Sequence, residues 1–207
     1  MDAVTLITRQ LESESQVGRG LTGEIADELW TRAAYPGANP LGFIAWHMVA
    51  TRDWTLHTGI QGVPDVRERA PFVSGRVNPQ HPPFGMSAAD AASIAATVTR
   101  DDVLAYADAV HGAMMDWLAA LTPDALERVP DLLANASRLP AYQVPGYLAE
   151  VQDMAGYPVW ALLSAPCFAH AREHVGEIVS GRALLLQDSA ADNLVRMAHI
   201  ELRQSAA

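Results

Sequence analysis

Apolar residues recur at intervals of three and four positions along most of this chain of 207 residues. The series Val110, Met114, Trp117 and Leu121 is one example. This spacing places side chains along one stripe of a helix. Strands instead need an alternation of apolar and polar residues, and runs of that kind are hard to find here. The pattern therefore predicts an all-α fold.

Four main helices are predicted, joined by two long connections that are rich in proline. The first spans Leu6 to Trp30 with an interruption around Gly18 and Gly20, and the second runs from about Leu41 to Leu56. The third starts after the capping pair Ser87 and Asp90 and runs to about Leu121, with a break at Asp101 and Asp102. The fourth begins between Gly156 and Ser164, runs to Ser180 and is capped by Gly181. Pro166 lies inside it, so either the helix kinks there or Ser164 caps a new start with Pro166 in the first turn.

Residues 60–86 and 123–146 form the irregular connections, and the first of them is long enough to be a lid, a binding loop or a covering strap. This arrangement is typical of a four-helix bundle with long crossover loops. At this length we expect one domain over residues 1–207, with residues 187–207 as a peripheral tail that includes a short helix over Leu194 to Leu202.

The charge balance is acidic, since 24 Asp and Glu face 14 cations, all of them Arg. Such a chain repels the phosphate backbone, so we expect no nucleic-acid partner. Cys167 is the sole cysteine, which excludes an intramolecular disulfide. The charged N-terminus and the lack of a long apolar run predict a cytoplasmic protein without membrane contact.

Three histidines stand out as candidate metal ligands. His170 and His174 are four residues apart, so their imidazoles project from one helix face. His47 follows Trp46 in a segment that is as apolar as the residues around the pair. Each group alone has a plain alternative, a chance pair on an exposed face or a core histidine. Together, on facing helices, the three imidazoles suit zinc, nickel, copper or iron and leave coordination positions open for water or substrate.

Several neighbours of these histidines are candidates for supporting roles. Glu177 is predicted to orient a ligand or to move a proton, and Glu173 flanks the pair; either could equally be a solvated carboxylate. Phe43, Thr51 and Trp54 share a helix face with His47 and predict an aromatic wall.

Four further residues leave their roles open. Arg52 and Asp53 could pair with each other, or Arg52 could hold an anionic group of a substrate. Cys167 reads as a small buried hydrophobe more readily than as a thiolate ligand. Among the other histidines, His81 alone could reach a metal from the loop.

These residues resemble the DinB-like, or YfiT-like, family of metal-dependent proteins. The stretch Ala-Trp-His-Met-Val-Ala-Thr-Arg-Asp-Trp around His47 and the stretch His-Ala-Arg-Glu-His-Val-Gly-Glu-Ile from His170 carry the resemblance, which extends over most of residues 1–185. The resemblance implies a four-helix bundle, a divalent metal that is commonly zinc or nickel, and a homodimer. It also implies thiol-dependent transferase or isomerase chemistry, as in the mycothiol-dependent maleylpyruvate isomerase.

Three functional hypotheses follow. The first is a metal-dependent enzyme that uses a low-molecular-weight thiol against a small electrophile, with His47, His170 and His174 as ligands. The second is a non-catalytic protein that binds or senses a metal or small ligand at the same place. The third is a metal-free structural bundle.

Overall fold

The computed structural model describes residues 2–77, 81–138 and 143–186. These residues contain helices and no strand, which confirms the predicted all-α class. An isolated β-bridge joins Ala33 and Pro40. The helices in chain order are α1 (Ala3–Gly23), α2 (Asp27–Trp30), α3 (Leu41–Trp54), α4 (Ala88–Thr97), α5 (Arg100–Ala119), α6 (Pro123–Leu126), α7 (Leu132–Ala136), α8 (Pro145–Met154), α9 (Val159–Ser164) and α10 (His170–Leu185).

The long helices pack around a shared apolar interior. α1 contacts α5 and α10, and α3 contacts the same two helices. All fourteen residues of α3 are buried, so this helix passes through the interior instead of presenting one face to solvent. These contacts are the ones that a bundle of four helices would make, while the bundle geometry itself stays a prediction.

Three glycines that were predicted to interrupt or end helices, Gly18, Gly20 and Gly181, lie inside them. α1 continues past Gly18 and Gly20 to Gly23, and a Cβ atom on Gly18 would stand 3.0 Å from Cε of Met48. α10 continues past Gly181 to Leu185, and a Cβ atom there would stand 3.0 Å from Cδ2 of Leu41. The predicted interruption and the predicted cap were wrong, because Gly18 and Gly181 let α3 approach closely, while an added Cβ atom on Gly20 would have no neighbour within 4 Å.

The predicted third helix is two helices, and the break lies earlier than expected. α4 begins with a capping box in which Ser87 and Asp90 bond each other's backbone N–H groups. Thr99 and Asp102 form a second capping box that begins α5. Asp102 therefore belongs to the start of a helix, and the interruption falls at Val98 and Thr99 instead of at Asp101 and Asp102.

The predicted fourth helix also has internal structure. α9 passes into a π-helical segment, Ala165–Ala169, which contains Pro166 and leads directly into α10. α3 likewise passes into a π-helical segment, Thr55–Gln61. The helix α8 was not predicted. The predicted helix from Leu194 to Leu202 lies outside the described residues.

The connection between α3 and α4 lies over one side of the interior. We call its described residues, 62–77 and 81–86, the covering segment. It includes one 3₁₀ turn, Val66–Glu68, and buries Val66, Arg67 and Val77. None of the helices in the described ranges combines the length and the apolar character that crossing a membrane requires.

Candidate metal centre

The three predicted histidines meet between α3 and α10. Nε2 of His170 lies 3.3 Å from Nε2 of His47 and 3.1 Å from Nε2 of His174. One ligand atom from each residue falls within 4.8 Å of the other two. Two nitrogen ligands of a tetrahedral zinc ion stand about 3.3 Å apart, given zinc–nitrogen distances of about 2.0–2.1 Å. The three histidines could therefore hold a metal ion.

The outer nitrogens of two of these rings have acceptors that fix the position of the ring proton. Nδ1 of His47 lies 2.5 Å from the carbonyl oxygen of Pro83, and Nδ1 of His174 lies 2.7 Å from Oε2 of Glu177. A carbonyl oxygen can only accept, so Nδ1 of His47 carries the hydrogen and its Nε2 keeps a free lone pair. A carboxylate fixes His174 in the same tautomer.

The three Nε2 atoms that face one another consequently have fewer hydrogens than they need to bond each other. A neutral His170 carries one hydrogen, which can reach only one of the two facing lone pairs. Its own Nδ1 is buried and has no hydrogen-bond partner among the described residues. A cation placed among the three nitrogens would satisfy their lone pairs together, so the chemistry of the donor set fits a metal ion.

Burial keeps two of the rings neutral. Desolvation, with the neighbouring His174 and His170 as smaller causes, lowers the pKa of His47 to about 3. Desolvation and the nearby His174 lower the pKa of His170 to about 4. Only a neutral imidazole can coordinate a metal, so these environments leave both nitrogens available at neutral pH.

The predicted neighbours of His47 are only partly at the site. Phe43 stacks on the His47 ring with centroids 5.4 Å apart, and Thr51 Oγ1 lies 3.5 Å from Nδ1 of His47. Trp54 instead packs away from the imidazoles, where its Nε1 donates to the hydroxyl of Tyr147. The aromatic wall beside the histidines is thus formed by Phe43 without Trp54.

Arg52 and Asp53 do not pair with each other. Arg52 forms a buried ion pair with Glu14 of α1 and donates to Ser15 at 3.0 Å, so it does not stand at the rim to hold a substrate. Asp53 points toward the covering segment instead. The two residues are adjacent on α3 and therefore face different neighbouring elements.

The remaining candidates lie outside the histidine group. Cys167 is buried, and its burial raises the pKa of the thiol to about 11, as expected for a small core residue. His57 donates from Nδ1 to Asp53, at 2.7 Å from the carboxylate oxygen. His81 and His111 are not members of the group.

A cavity of about 490 Å³ opens on His47 and His170. Sequence reasoning did not predict the part of its wall that α8 and the end of the covering segment supply, which is Glu150, Met154, Phe84, Gly85 and Met86. The other lining residues of the cavity are Asn39, Phe43, Thr51, Ser87, Ala91, Tyr157, Ala165, Pro166, Ala169 and Glu173.

A buried polar cluster anchors the covering segment to α3. The carboxylate of Asp53 accepts the backbone N–H of Val66 at 2.9 Å, that of Arg67 at 3.2 Å and the Tyr106 hydroxyl at 2.6 Å. Arg67 in turn donates to the carbonyl oxygen of His81 at 3.1 Å. This network holds the part of the segment that precedes Pro83. Every residue has a backbone carbonyl, so this kind of acceptor has no signature in the sequence. Pro83 could therefore not be predicted as a partner of His47.

The comparison with known families agrees with the resemblance seen in the sequence. A model of the DinB superfamily matches residues 10–150, which is more than half of the chain. The protein therefore belongs to the DinB superfamily. The matched stretch includes His47 and ends before His170 and His174, so the geometry of the α10 pair rests on the structure alone. No curated protein matches the chain.

Proposed function

We propose that this protein is a divalent-metal-dependent enzyme whose ligands are His47, His170 and His174, with zinc or nickel as the metal. The convergence of three Nε2 atoms carries the proposal, because two of the rings are fixed from behind by Pro83 and Glu177. Three protein ligands leave room for an exogenous donor.

The proposed reaction is the transfer or isomerisation of a small electrophile with the help of a low-molecular-weight thiol. When bound, the divalent ion would supply Lewis acidity that lowers the pKa of a thiol or water. Phe43 covers one face of the His47 ring. Glu177 accepts the hydrogen of His174 and is the proposed residue for orienting that ligand. Thr51 and Glu173 line the space where a substrate would lie.

Metal analysis tests the first part of the proposal. Protein purified without a histidine tag and supplied with zinc or nickel should hold about one ion per chain. His170→Ala should remove most of the metal, while His111→Ala, which changes a histidine outside the group, should retain it. Substoichiometric metal that does not rise on addition of zinc or nickel would refute the metal centre.

Turnover tests the second part. The metal-loaded protein should consume a small electrophile in the presence of mycothiol, bacillithiol or glutathione, and His174→Ala should abolish this activity. A loaded protein that stays inactive across the panel while a ligand raises its melting temperature would instead be a binding or sensing protein.

We also propose that the protein forms a homodimer, as the family resemblance implies. Light scattering on the purified protein gives the mass of the particle in solution. A mass of one chain at micromolar concentration would contradict the dimer.

A further inference from the structure

The cavity beside the imidazoles indicates which chemical class of molecule the site takes. Its volume of about 490 Å³ lies within the range of about 300–1,000 Å³ that is typical of small-molecule pockets. Because His47 and His170 both line it, a molecule inside could place one donor atom at the candidate metal centre.

The wall of the cavity is largely apolar. Phe43 and Phe84 supply aromatic surface, and Met86, Met154 and Pro166 supply flexible and aliphatic surface. Phe84 is itself held in place, since it stacks on Tyr147 with centroids 5.2 Å apart. A substrate gains affinity here by burying an apolar body.

The charged side chains of the described lining are carboxylates. Glu150 on α8 and Glu173 on α10 are both exposed and border the cavity. No arginine belongs to the lining that the structure describes, and the chain contains no lysine. A carboxylate on the body of a ligand would therefore have two like charges and no counter-ion among the lining residues, in a protein of net charge −10.

We propose that the substrate of this cavity has a donor end that reaches the imidazoles, an apolar body, and a distal end that is neutral or a cationic amine. A substrate with a distal carboxylate is disfavoured. This inference rests on the proposed metal-dependent function, because it takes the imidazoles as the point where the donor end binds.

Three matched thiols test the proposal on cobalt-loaded protein. They are 4-(aminomethyl)benzenethiol, 4-methylbenzenethiol and 4-mercaptobenzoate, which share an aromatic body and a thiol and differ in the charge of the distal group. Coordination of each thiolate is followed by its charge-transfer absorption with cobalt. We expect the amine to bind about tenfold more tightly than the carboxylate at low salt, with the neutral compound between them.

Two double variants locate the origin of this preference. Glu150→Gln with Glu173→Gln should reduce the tenfold ratio to about threefold or less. Glu12→Gln with Glu127→Gln alters the net charge by the same amount at exposed positions outside the cavity, and should leave the ratio near its original value. The ratio should also fall as salt is raised, because exposed charges are screened.

The outcomes separate this inference from the function on which it rests. A protein that binds no cobalt refutes the metal centre, and the inference falls with it. A protein that binds cobalt and all three thiols equally, or the carboxylate most tightly, overturns the substrate class and leaves the metal centre standing.

Discussion

Nδ1 of His47 lies 2.5 Å from the carbonyl oxygen of Pro83, so a residue of the covering segment sets the orientation of a helical histidine. The segment that carries Pro83 is tied to the same helix through Asp53, Arg67 and the carbonyl oxygen of His81. Trp46, next to His47, adds a bond from Nε1 to the carbonyl oxygen of Val77 at 3.0 Å. The covering segment is therefore bonded to α3 in two places, at Asp53 and at Trp46. These bonds hold the carbonyl oxygen of Pro83 beside His47.

Replacement of Asp53 by Asn should weaken both the fold and the metal centre. Asp53 is fully buried beside Arg67 and His57, so removal of its charge should cost about 3 kcal/mol or more in the free energy of unfolding. Metal affinity should fall about tenfold or more, because Pro83 would lose its fixed position behind His47. Urea unfolding and zinc titration below the unfolding transition measure the two effects.

Asp116→Asn is the matched control for this variant. Asp116 is exposed on α5, so its replacement should leave stability within about 0.5 kcal/mol of the original value and should leave zinc affinity unchanged. An Asp53→Asn protein that is destabilised yet binds zinc as tightly as before would show that the anchor does not act on His47.

Gly85→Ala should disturb the wall of the cavity. Gly85 has φ of +71°, and an added Cβ atom would stand 2.3 Å from the backbone nitrogen of Tyr147 on α8. Neither backbone can yield without moving Phe84, so we expect a loss of about 2 kcal/mol or more in stability, measured by thermal unfolding.

Gly112→Ala should have the opposite effect on stability, because Gly112 lies within a helix. A Cβ atom at Gly112 of α5 would have no neighbour within 4 Å. The substitution should stabilise the protein by about 0.5–1 kcal/mol, since alanine loses less conformational entropy in a helix interior. Equal effects of the two substitutions would contradict the close approach of Gly85 and α8.

The buried pair of Glu14 and Arg52 should matter for stability without affecting metal binding. Glu14→Gln would leave the Arg52 guanidinium in the interior without its counter-ion, at a cost of about 3–5 kcal/mol. Urea unfolding should show this loss, whereas zinc affinity should stay within about twofold. Glu12→Gln, exposed on the same helix, should change neither quantity, and a similar loss there would argue against the pair as the cause.

The Cys167 thiol should be inert in the folded protein. Burial raises its pKa to about 11 from an ordinary value of 9.0, so the thiol keeps its proton through neutral pH. At about pH 8 about one molecule in a thousand is a thiolate, against about one in ten for an exposed cysteine. Iodoacetamide should alkylate the native protein at least about a hundredfold more slowly than the urea-unfolded chain.

The same pKa sets the direction of a stability change at high pH. The unfolded thiol ionises near its ordinary value of 9.0 while the folded thiol holds its proton to about 11, so stability should fall as pH rises through that window. Native alkylation at the unfolded rate would show that Cys167 is accessible and that its role as a core residue is wrong.

The predictions were successful where the spacing of residues along a single helix was sufficient to show which face it buries. The apolar spacing around His47 and the interval between His170 and His174 suffice to place three imidazoles inside a helical fold. Their role as metal ligands stays a prediction.

The predictions were wrong where a residue contacts an element that is far away in the sequence. Gly18 was predicted to interrupt a helix and Gly181 to cap one, yet each makes room for a side chain of α3. Arg52 and Asp53 looked like a pair, yet their partners are Glu14 on one side and Val66 with Arg67 on the other. In each case the partner is separated in sequence, and no local spacing rule connects the two.

The π-helical segment Ala165–Ala169 limits how the length of this chain can change during evolution. Each residue turns a helix by about 100°, and the histidine pair follows this segment without a break. Deletion of one residue there would rotate His170 and His174 away from His47, so the loss of a single codon would remove the constellation. An insertion after Leu185, beyond the end of α10, would leave it in place.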